Sequence, residues 1–128
     1  MKTLLAPSLV GVWRVKAEGA PTPYHIFAFH ADGTVQQSNP AAGNAQTSDT
    51  SLMGVWKPSA NGFSIHLEEF RQDYKTGNIT RGTLDCMVFV KKRTLAGSCT
   101  FNVFGPEDSK LIEGPFAAKL KGWRVLPG

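Results

Sequence analysis

Cysteine, helical periodicity and long apolar runs are all scarce in this chain of 128 residues. Its two cysteines, Cys86 and Cys99, are too few for a disulfide-rich scaffold and lack the paired spacing of a metal site. No apolar stretch reaches the length of a membrane span. No apolar repeat of about 3.6 residues continues for the length of a helix. We therefore expect a chain of β-strands, with any helix limited to a short turn.

Motifs of the common enzyme classes are missing as well. No Gly-rich phosphate loop and no Gly-x-Ser-x-Gly turn occurs, which argues against nucleotide-dependent chemistry and hydrolase triads. The three histidines, His25, His30 and His66, are scattered along the chain and form no motif of spaced metal ligands. We expect no metal and no cofactor.

Charge of one sign is also limited, because the net charge is only +4 and the basic residues are dispersed. The run Lys91-Lys92-Arg93 is the main exception. A solvated hairpin tip explains it better than a phosphate contact, since no basic stripe interleaved with aromatic residues accompanies it. We expect neither a nucleic-acid nor a membrane partner. The sequence leaves the oligomeric state open, a homodimer included.

The N-terminus begins like a signal peptide, but Pro7, Gly11 and Arg14 interrupt the apolar stretch before it reaches a useful length. A cytoplasmic location is therefore expected. A hairpin turning at Lys92-Arg93 would place Cys86 opposite Cys99, so that a cross-strand disulfide is geometrically conceivable. Two buried thiols are the expected state, because disulfides are rare in reducing compartments.

Strand signals separated by turn residues make up most of what the chain does contain. Asp32-Gly33 is the strongest hairpin signal, since such a pair favours the positive φ angles of a two-residue turn. Residues 39–49 form the one long irregular segment, which we expect to cap an open barrel end. The eight predicted strands cover residues 9–17, 24–31, 34–38, 50–57, 63–72, 79–90, 94–104 and 111–125.

These strands predict a single all-β domain over residues 1–128, folded as an eight-stranded antiparallel up-and-down barrel. Closure removes the two strand edges that an open sheet would expose. A barrel of eight strands is wide enough for a packed core or for one small ligand.

Three residues carry a resemblance to a known group of barrels. Gly11 and Trp13 form a Gly-x-Trp motif on the first strand, and Arg124 lies on the last strand, where its guanidinium can stack on the indole. With eight meandering strands, this pattern resembles the calycin superfamily, especially the lipocalin-like barrels of a small bacterial type. The resemblance implies a lipocalin-like barrel over the whole chain. Gly54-Val55-Trp56 repeats the motif and marks a possible second barrel corner.

Alternation along each strand assigns the side chains that face the interior. Trp13 sets the inward face of the first strand, and Lys119 and Lys121 set the outward face of the last. The resulting interior is apolar and aromatic with a few polar groups, as expected of a site for a hydrophobic small molecule. The predicted ligand-binding residues are Phe27, Phe29, Gln36, Trp56, Phe63, Leu67, Phe101 and Phe116.

The sequence predicts that this barrel binds a small, largely hydrophobic molecule. The alternative is a cofactor-free cyclase or isomerase acting on a hydrophobic, natural-product-like substrate in the same cavity, as in the similar allene-oxide-cyclase-like barrels. For that chemistry the candidate catalytic residues are Glu69 and His25, since burial would raise the pKa of a carboxyl group. A third reading is a structural barrel with a filled core.

Two alternatives stay open for the strand over residues 63–72. Arg71, two residues beyond Glu69 on the same face, is expected to neutralise Glu69 as a structural pair. A bulge in this strand would instead turn His66 and Glu68 inward, where they would make a better acid–base pair.

Overall fold

A computed structural model describes residues 8–39 and 44–128, and this part of the chain forms nine antiparallel β-strands. Most strands begin and end within two or three residues of their predicted limits. The strands are β1 (Gly11–Glu18), β2 (Tyr24–Phe29), β3 (Thr34–Gln37), β4 (Thr47–Asp49), β5 (Leu52–Ser59), β6 (Gly62–Asp73), β7 (Ile79–Lys91), β8 (Thr94–Phe104) and β9 (Leu111–Arg124).

Eight of the strands in the described part of the chain close into a barrel. Apart from β4, each strand pairs with the next along the chain, and β9 returns to pair with β1. The pairing of β6 with β7 completes the ring. The predicted all-β, eight-stranded up-and-down barrel is thus confirmed.

The first and last strands meet at the closed end of the barrel, as Gly11, Trp13 and Arg124 predicted. Trp13 is fully buried and lies directly opposite Arg124 in the β1–β9 ladder. The Arg124 guanidinium carbon lies 4.3 Å from the centre of the indole ring. A side chain at Gly11, whose φ is +133°, would collide with this guanidinium.

Hydrogen bonds fix both members of this pair. Arg124 donates to the carbonyl oxygens of Val10 and Ser8 at 2.8 and 2.6 Å. The Trp13 indole donates to the Leu9 carbonyl at 2.9 Å. The chain that precedes β1 is therefore held across this end of the barrel by three hydrogen bonds, of which the one from the Trp13 indole is buried and is costly to leave unmade.

The structure of the β2–β3 turn shows that the inward face of β3 was predicted wrongly. His30 donates its backbone N–H to Thr34, and Gly33 takes a φ of +92°, so the loop has three residues, 31–33, rather than the two of Asp32-Gly33. The extra residue shifts the register and pairs Phe27 with Gln37. The predicted inward placement of Gln36, which by alternation would also turn Ser38 inward, is therefore wrong. Both side chains are exposed, and Gln37 is buried in their place.

The predicted irregular segment contains a short strand, β4, outside the barrel ring. β6 continues past its pairing with β5, and β4 pairs with this extension from Arg71 to Asp73. Asn39 and Thr47 line the open end of the barrel, in the region that the segment was expected to cap. Residues 40–43 of that segment, and residues 1–7 with the predicted signal-like start, lie outside the described residues.

The β7–β8 hairpin turns at Lys92-Arg93, which confirms this basic run as a hairpin tip. Cys86 consequently lies opposite Cys99, and the two are joined in a disulfide. The expectation of two free thiols is wrong. Directly opposed residues of an antiparallel pair place their side chains on the same face and close together, so this register brings the two sulfur atoms within bonding reach.

The buried core occupies the closed half of the barrel. It is built by the inward residues of every strand of the ring, and the predicted inward faces of β1, β2, β6, β7 and β8 are confirmed there. The largest fully buried side chains are Trp13, Phe27, Leu9, Leu67, Val15, Val35 and Val88.

Candidate functional site

A cavity of about 820 Å³ opens at the end of the barrel opposite the Trp13–Arg124 pair. The loops after β1 and β6 surround its mouth, and the buried core forms its floor. Sites for small organic ligands commonly measure about 300–1,000 Å³. The barrel is therefore only partly filled by its own side chains. It has room for a small molecule, unlike the barrel with a filled core that was the third interpretation of the sequence.

The cavity walls are mostly apolar. Of the predicted aromatic residues that line the cavity, Phe27 has 2% of its surface exposed, whereas Phe116 lies at the mouth and is 53% exposed. The absence of a side chain at Gly82 leaves room for the ring of Phe101, which a Cβ there would meet at 2.8 Å. The apolar side chains that line the cavity include Phe27, Leu52, Leu84, Phe101, Ile112, Phe116 and Leu120.

The structure places the predicted site residues in four locations. His25, Phe27, Glu69, Phe101 and Phe116 line the cavity. Phe29 and Leu67 are buried in the core beneath the cavity. Trp56 and Phe63 pack edge to face at the closed end, and Gln36 lies on the outer surface. Period-two alternation separates inside from outside, but it does not tell how deep an inward side chain lies.

Gln37 is the cavity residue that the sequence interpretation missed. It is 5% exposed, and its amide donates to Nδ1 of His25 at 3.0 Å. Among the described residues, none forms a hydrogen bond with Gln37 Oε1, a buried acceptor atom. The sequence did contain a signal for this residue. An inward Val35 on the short strand β3 places Gln37 inward as well.

Glu69 supplies a carboxylate to the cavity wall. It is 9% exposed, and Asn39 donates to its Oε1 at 3.3 Å. Burial raises the pKa of Glu69, and this effect outweighs the opposing influence of Arg71 and of the Asn39 hydrogen bond. A raised pKa brings a carboxyl group closer to the neutral range in which a general base works best.

Arg71 also lines the cavity, but its ion-pair partner is Asp49 and not Glu69. Its Nε donates to Asp49 Oδ1 at 2.5 Å, and the Asp49 side chain is fully buried. Thr47 donates to the other carboxylate oxygen of Asp49 at 2.6 Å. The expected structural pair of Arg71 with Glu69 is therefore replaced, because β4 brings a second carboxylate closer to the guanidinium.

His66 and Glu68 lie on the outer face of β6, so the predicted alternative with both inside the barrel is not realised. The two ring nitrogens of His66 contact Glu68 at 2.7 Å and Asp85 at 2.6 Å. Burial opposes the charged ring, but these two hydrogen bonds outweigh it and raise the pKa of His66 above its ordinary value of 6.5. Arg81 extends the cluster through Glu68 at 3.4 Å.

No protein-family model, no curated protein and no solved structure matches the chain. The barrel itself, with its first and last strands joined at Trp13 and Arg124, is compatible with a lipocalin-like fold. The class that fold and cavity define is an eight-stranded antiparallel barrel able to hold a ligand.

Within residues 8–39 and 44–128, no helix has the length and apolar character needed to cross a membrane. The same described residues hold no group of three or more His, Cys, Asp or Glu side chains placed to bind a metal ion.

Replacing Glu69 by glutamine is expected to stabilise the protein at neutral pH. A carboxyl whose pKa is higher in the folded than in the unfolded state loses stability as the pH rises through that interval. The penalty is absent below the ordinary pKa of 4.5 and complete above the raised pKa. We expect Glu69→Gln to raise the free energy of unfolding at neutral pH and to lose this advantage as the pH falls toward 4.5. Urea denaturation across this pH range measures it.

The matched control for this prediction is Glu68→Gln. The hydrogen bond from His66 lowers the pKa of Glu68, so its carboxylate is favoured in the folded state and its removal is expected to destabilise the protein at neutral pH. The two adjacent substitutions, which remove the same charge, are thus expected to change stability in opposite directions. Equal changes would contradict the placement of Glu69 in the cavity wall.

Proposed function

We propose that the protein binds a small, largely hydrophobic molecule inside the barrel. The observation that supports this most directly is the cavity of about 820 Å³, open at one end and walled by aromatic and aliphatic side chains. A cavity of that kind excludes water from an apolar guest, which gains free energy in proportion to the apolar area removed from water. His25, Gln37 and Glu69 supply a few polar anchors that would orient it.

The superfamily and the cellular location of the protein are also matters of proposal. Membership of the calycin superfamily is supported by the closed barrel and by the Gly11, Trp13 and Arg124 contacts. A cytoplasmic location stays a prediction, and the Cys86–Cys99 disulfide argues against it, because cytosolic thiols are usually kept reduced. The absence of a nucleic-acid partner also stays a prediction, and the oligomeric state stays open, a homodimer included.

Filling the cavity tests the proposal. Ala118 lines the cavity opposite Cys99, so Ala118→Trp projects an indole into the proposed ligand volume. We expect this variant to weaken binding of the neutral apolar fluorophore N-phenyl-1-naphthylamine by about tenfold or more, since about 1.4 kcal/mol of lost contact suffices. Fluorescence titration of the folded proteins measures the affinity.

The control is Ala96→Trp, which adds the same side chain on the outer face of β8. We expect it to leave fluorophore binding unchanged. If the unmodified protein does not bind the fluorophore, or if both variants bind it as the unmodified protein does, the cavity is not the binding site and the proposal fails. Mass spectrometry of the denatured, freshly purified protein identifies any molecule that it carries.

The second candidate function is a cofactor-free cyclase or isomerase, and the observation that favours it is the raised pKa of Glu69 within the cavity wall. Holding a flexible chain in a reactive conformation lowers the entropic part of the barrier, and one base can direct the proton transfer. Incubating the released compound with fresh protein tests this function. Conversion to an isomer of equal mass, abolished by Glu69→Gln, is expected of an enzyme, and an unchanged compound of a binding protein.

A further inference from the structure

The charge of the cavity is opposite in sign to the charge of the whole molecule. The chain carries a net charge of +4, yet no lysine of the described part of the chain lines the cavity. Its walls and mouth contain three carboxylates, from Glu69, Asp73 and Glu113. Arg71 is the single guanidinium among the described lining residues. Nearby fixed charges set the local potential, and a concave, low-dielectric site strengthens it.

The Arg71 charge is already compensated within the protein. Asp49, which does not line the cavity, contacts Arg71 at 2.5 Å through a fully buried carboxylate. The Arg71–Asp49 pair therefore contributes little net charge to a guest molecule. What remains for the guest is the negative charge of Glu69 in the wall and of Asp73 and Glu113 at the mouth.

The buried polar atoms of the wall, like its charge, favour a guest that is positively charged and donates hydrogen bonds. Gln37 is 5% exposed and lines the cavity, and its Oε1 forms no hydrogen bond with any described residue. Glu69 accepts one hydrogen bond from Asn39 through Oε1. Both groups can accept a hydrogen bond from a guest. A protonated amine donates up to three hydrogen bonds and accepts none, so it complements a wall of acceptors.

We propose that the cavity selects a hydrophobic amine, whose apolar body lies against Phe27, Leu84 and Phe101 and whose ammonium group pairs with Glu69. This inference rests on the proposed function and specifies the chemical class of its ligand. A carboxylate guest of the same shape would place a second negative charge beside Glu69, which is unfavourable in a desolvated site. An alcohol would satisfy the acceptors without the gain from opposite charges.

Three unbranched probes of ten carbon atoms each separate these cases: decylamine, decan-1-ol and decanoate. Isothermal titration calorimetry at neutral pH, below the aggregation concentration of each probe, measures their affinities. We expect decylamine to bind about tenfold more tightly than decan-1-ol, and decanoate to bind most weakly. This order in the unmodified protein tests the proposal by itself, whatever the behaviour of any variant.

A pair of variants locates the source of the preference. Glu69→Gln is expected to bring the affinities for decylamine and decan-1-ol to within about threefold of each other, chiefly by weakening the binding of decylamine. Glu68→Gln removes the same charge from the outer face and is expected to keep the tenfold preference. If both variants lose the preference for decylamine over decan-1-ol, the preference arises from the electrostatic field of the whole protein, and the proposed role of Glu69 is disproved.

The remaining outcomes separate this inference from the proposed function. If none of the three probes binds, the proposed function fails and the inference fails with it. If all three bind with similar affinity, or decanoate binds most tightly, the cavity is a binding site but its selection of an amine is disproved. A decylamine preference that survives Glu69→Gln also disproves it.

Discussion

Trp13→Ala is expected to lower the free energy of unfolding by about 3–5 kcal/mol, the range typical of a large aromatic side chain removed from a core. The indole is fully buried, stacks on Arg124 and donates to Leu9, so the substitution leaves a cavity and an unpaired carbonyl at once. The midpoint and slope of urea denaturation, followed by far-ultraviolet circular dichroism, measure the loss.

Trp123→Ala is the matched control, because Trp123 is on the outer face of β9 next to Arg124 and is 39% exposed. We expect it to cost about 1 kcal/mol or less. A double-mutant cycle of Trp13→Ala with Arg124→Met is expected to give a coupling energy of about 1–2 kcal/mol. Equal costs for the two tryptophans would contradict the assignment of Trp13 to the closed end of the barrel.

Gly54→Ala is expected to destabilise the barrel by about 3 kcal/mol or more, although it adds a single methyl group. A Cβ at Gly54 would come within 1.8 Å of the His66 carbonyl oxygen on β6, far inside van der Waals contact. This obstacle is backbone, so the clash is relieved only by moving the two strands apart. Thermal and urea denaturation of the variant measure the effect.

Val55→Ala is the control, because it changes the neighbouring residue of the same strand. Val55 is 58% exposed, and we expect its truncation to change the free energy of unfolding by about 0.5 kcal/mol or less. If Gly54→Ala were as mild as Val55→Ala, the close approach of β5 and β6 at this point would be disproved. The second Gly-x-Trp motif would then have no structural role at its glycine.

The two Gly-x-Trp motifs show why a short motif predicts less than its context. At Gly11 the absent side chain makes room for the Arg124 guanidinium, and Trp13 fills the closed end. At Gly54 the absent side chain lets two backbones approach, and Trp56 is only half-buried and bonded to the His30 carbonyl at 2.9 Å. Identical residues perform different tasks, because each motif meets a different neighbouring strand.

The pairing register of a hairpin was predictable where the turn residues allowed one loop length, and it was not predictable where they allowed two. The β7–β8 turn at Lys92-Arg93 has two residues, so the pairing of Cys86 with Cys99 followed from counting. Asp32-Gly33 suits either a two-residue turn or the last part of a three-residue turn. The structure has the three-residue form, and this one-residue difference exchanged Gln36 for Gln37 in the interior.

Sequence patterns alone were enough to predict the all-β class, the order and approximate limits of the barrel strands, and the inward faces of most of them. These follow from local properties, since alternation and turn residues act between near neighbours. The folded barrel was needed to show which inward residues line a cavity, that Arg71 pairs with Asp49 rather than with Glu69, and that the two cysteines form a disulfide. Each of these depends on distances between strands remote in sequence, and barrel closure is what sets those distances.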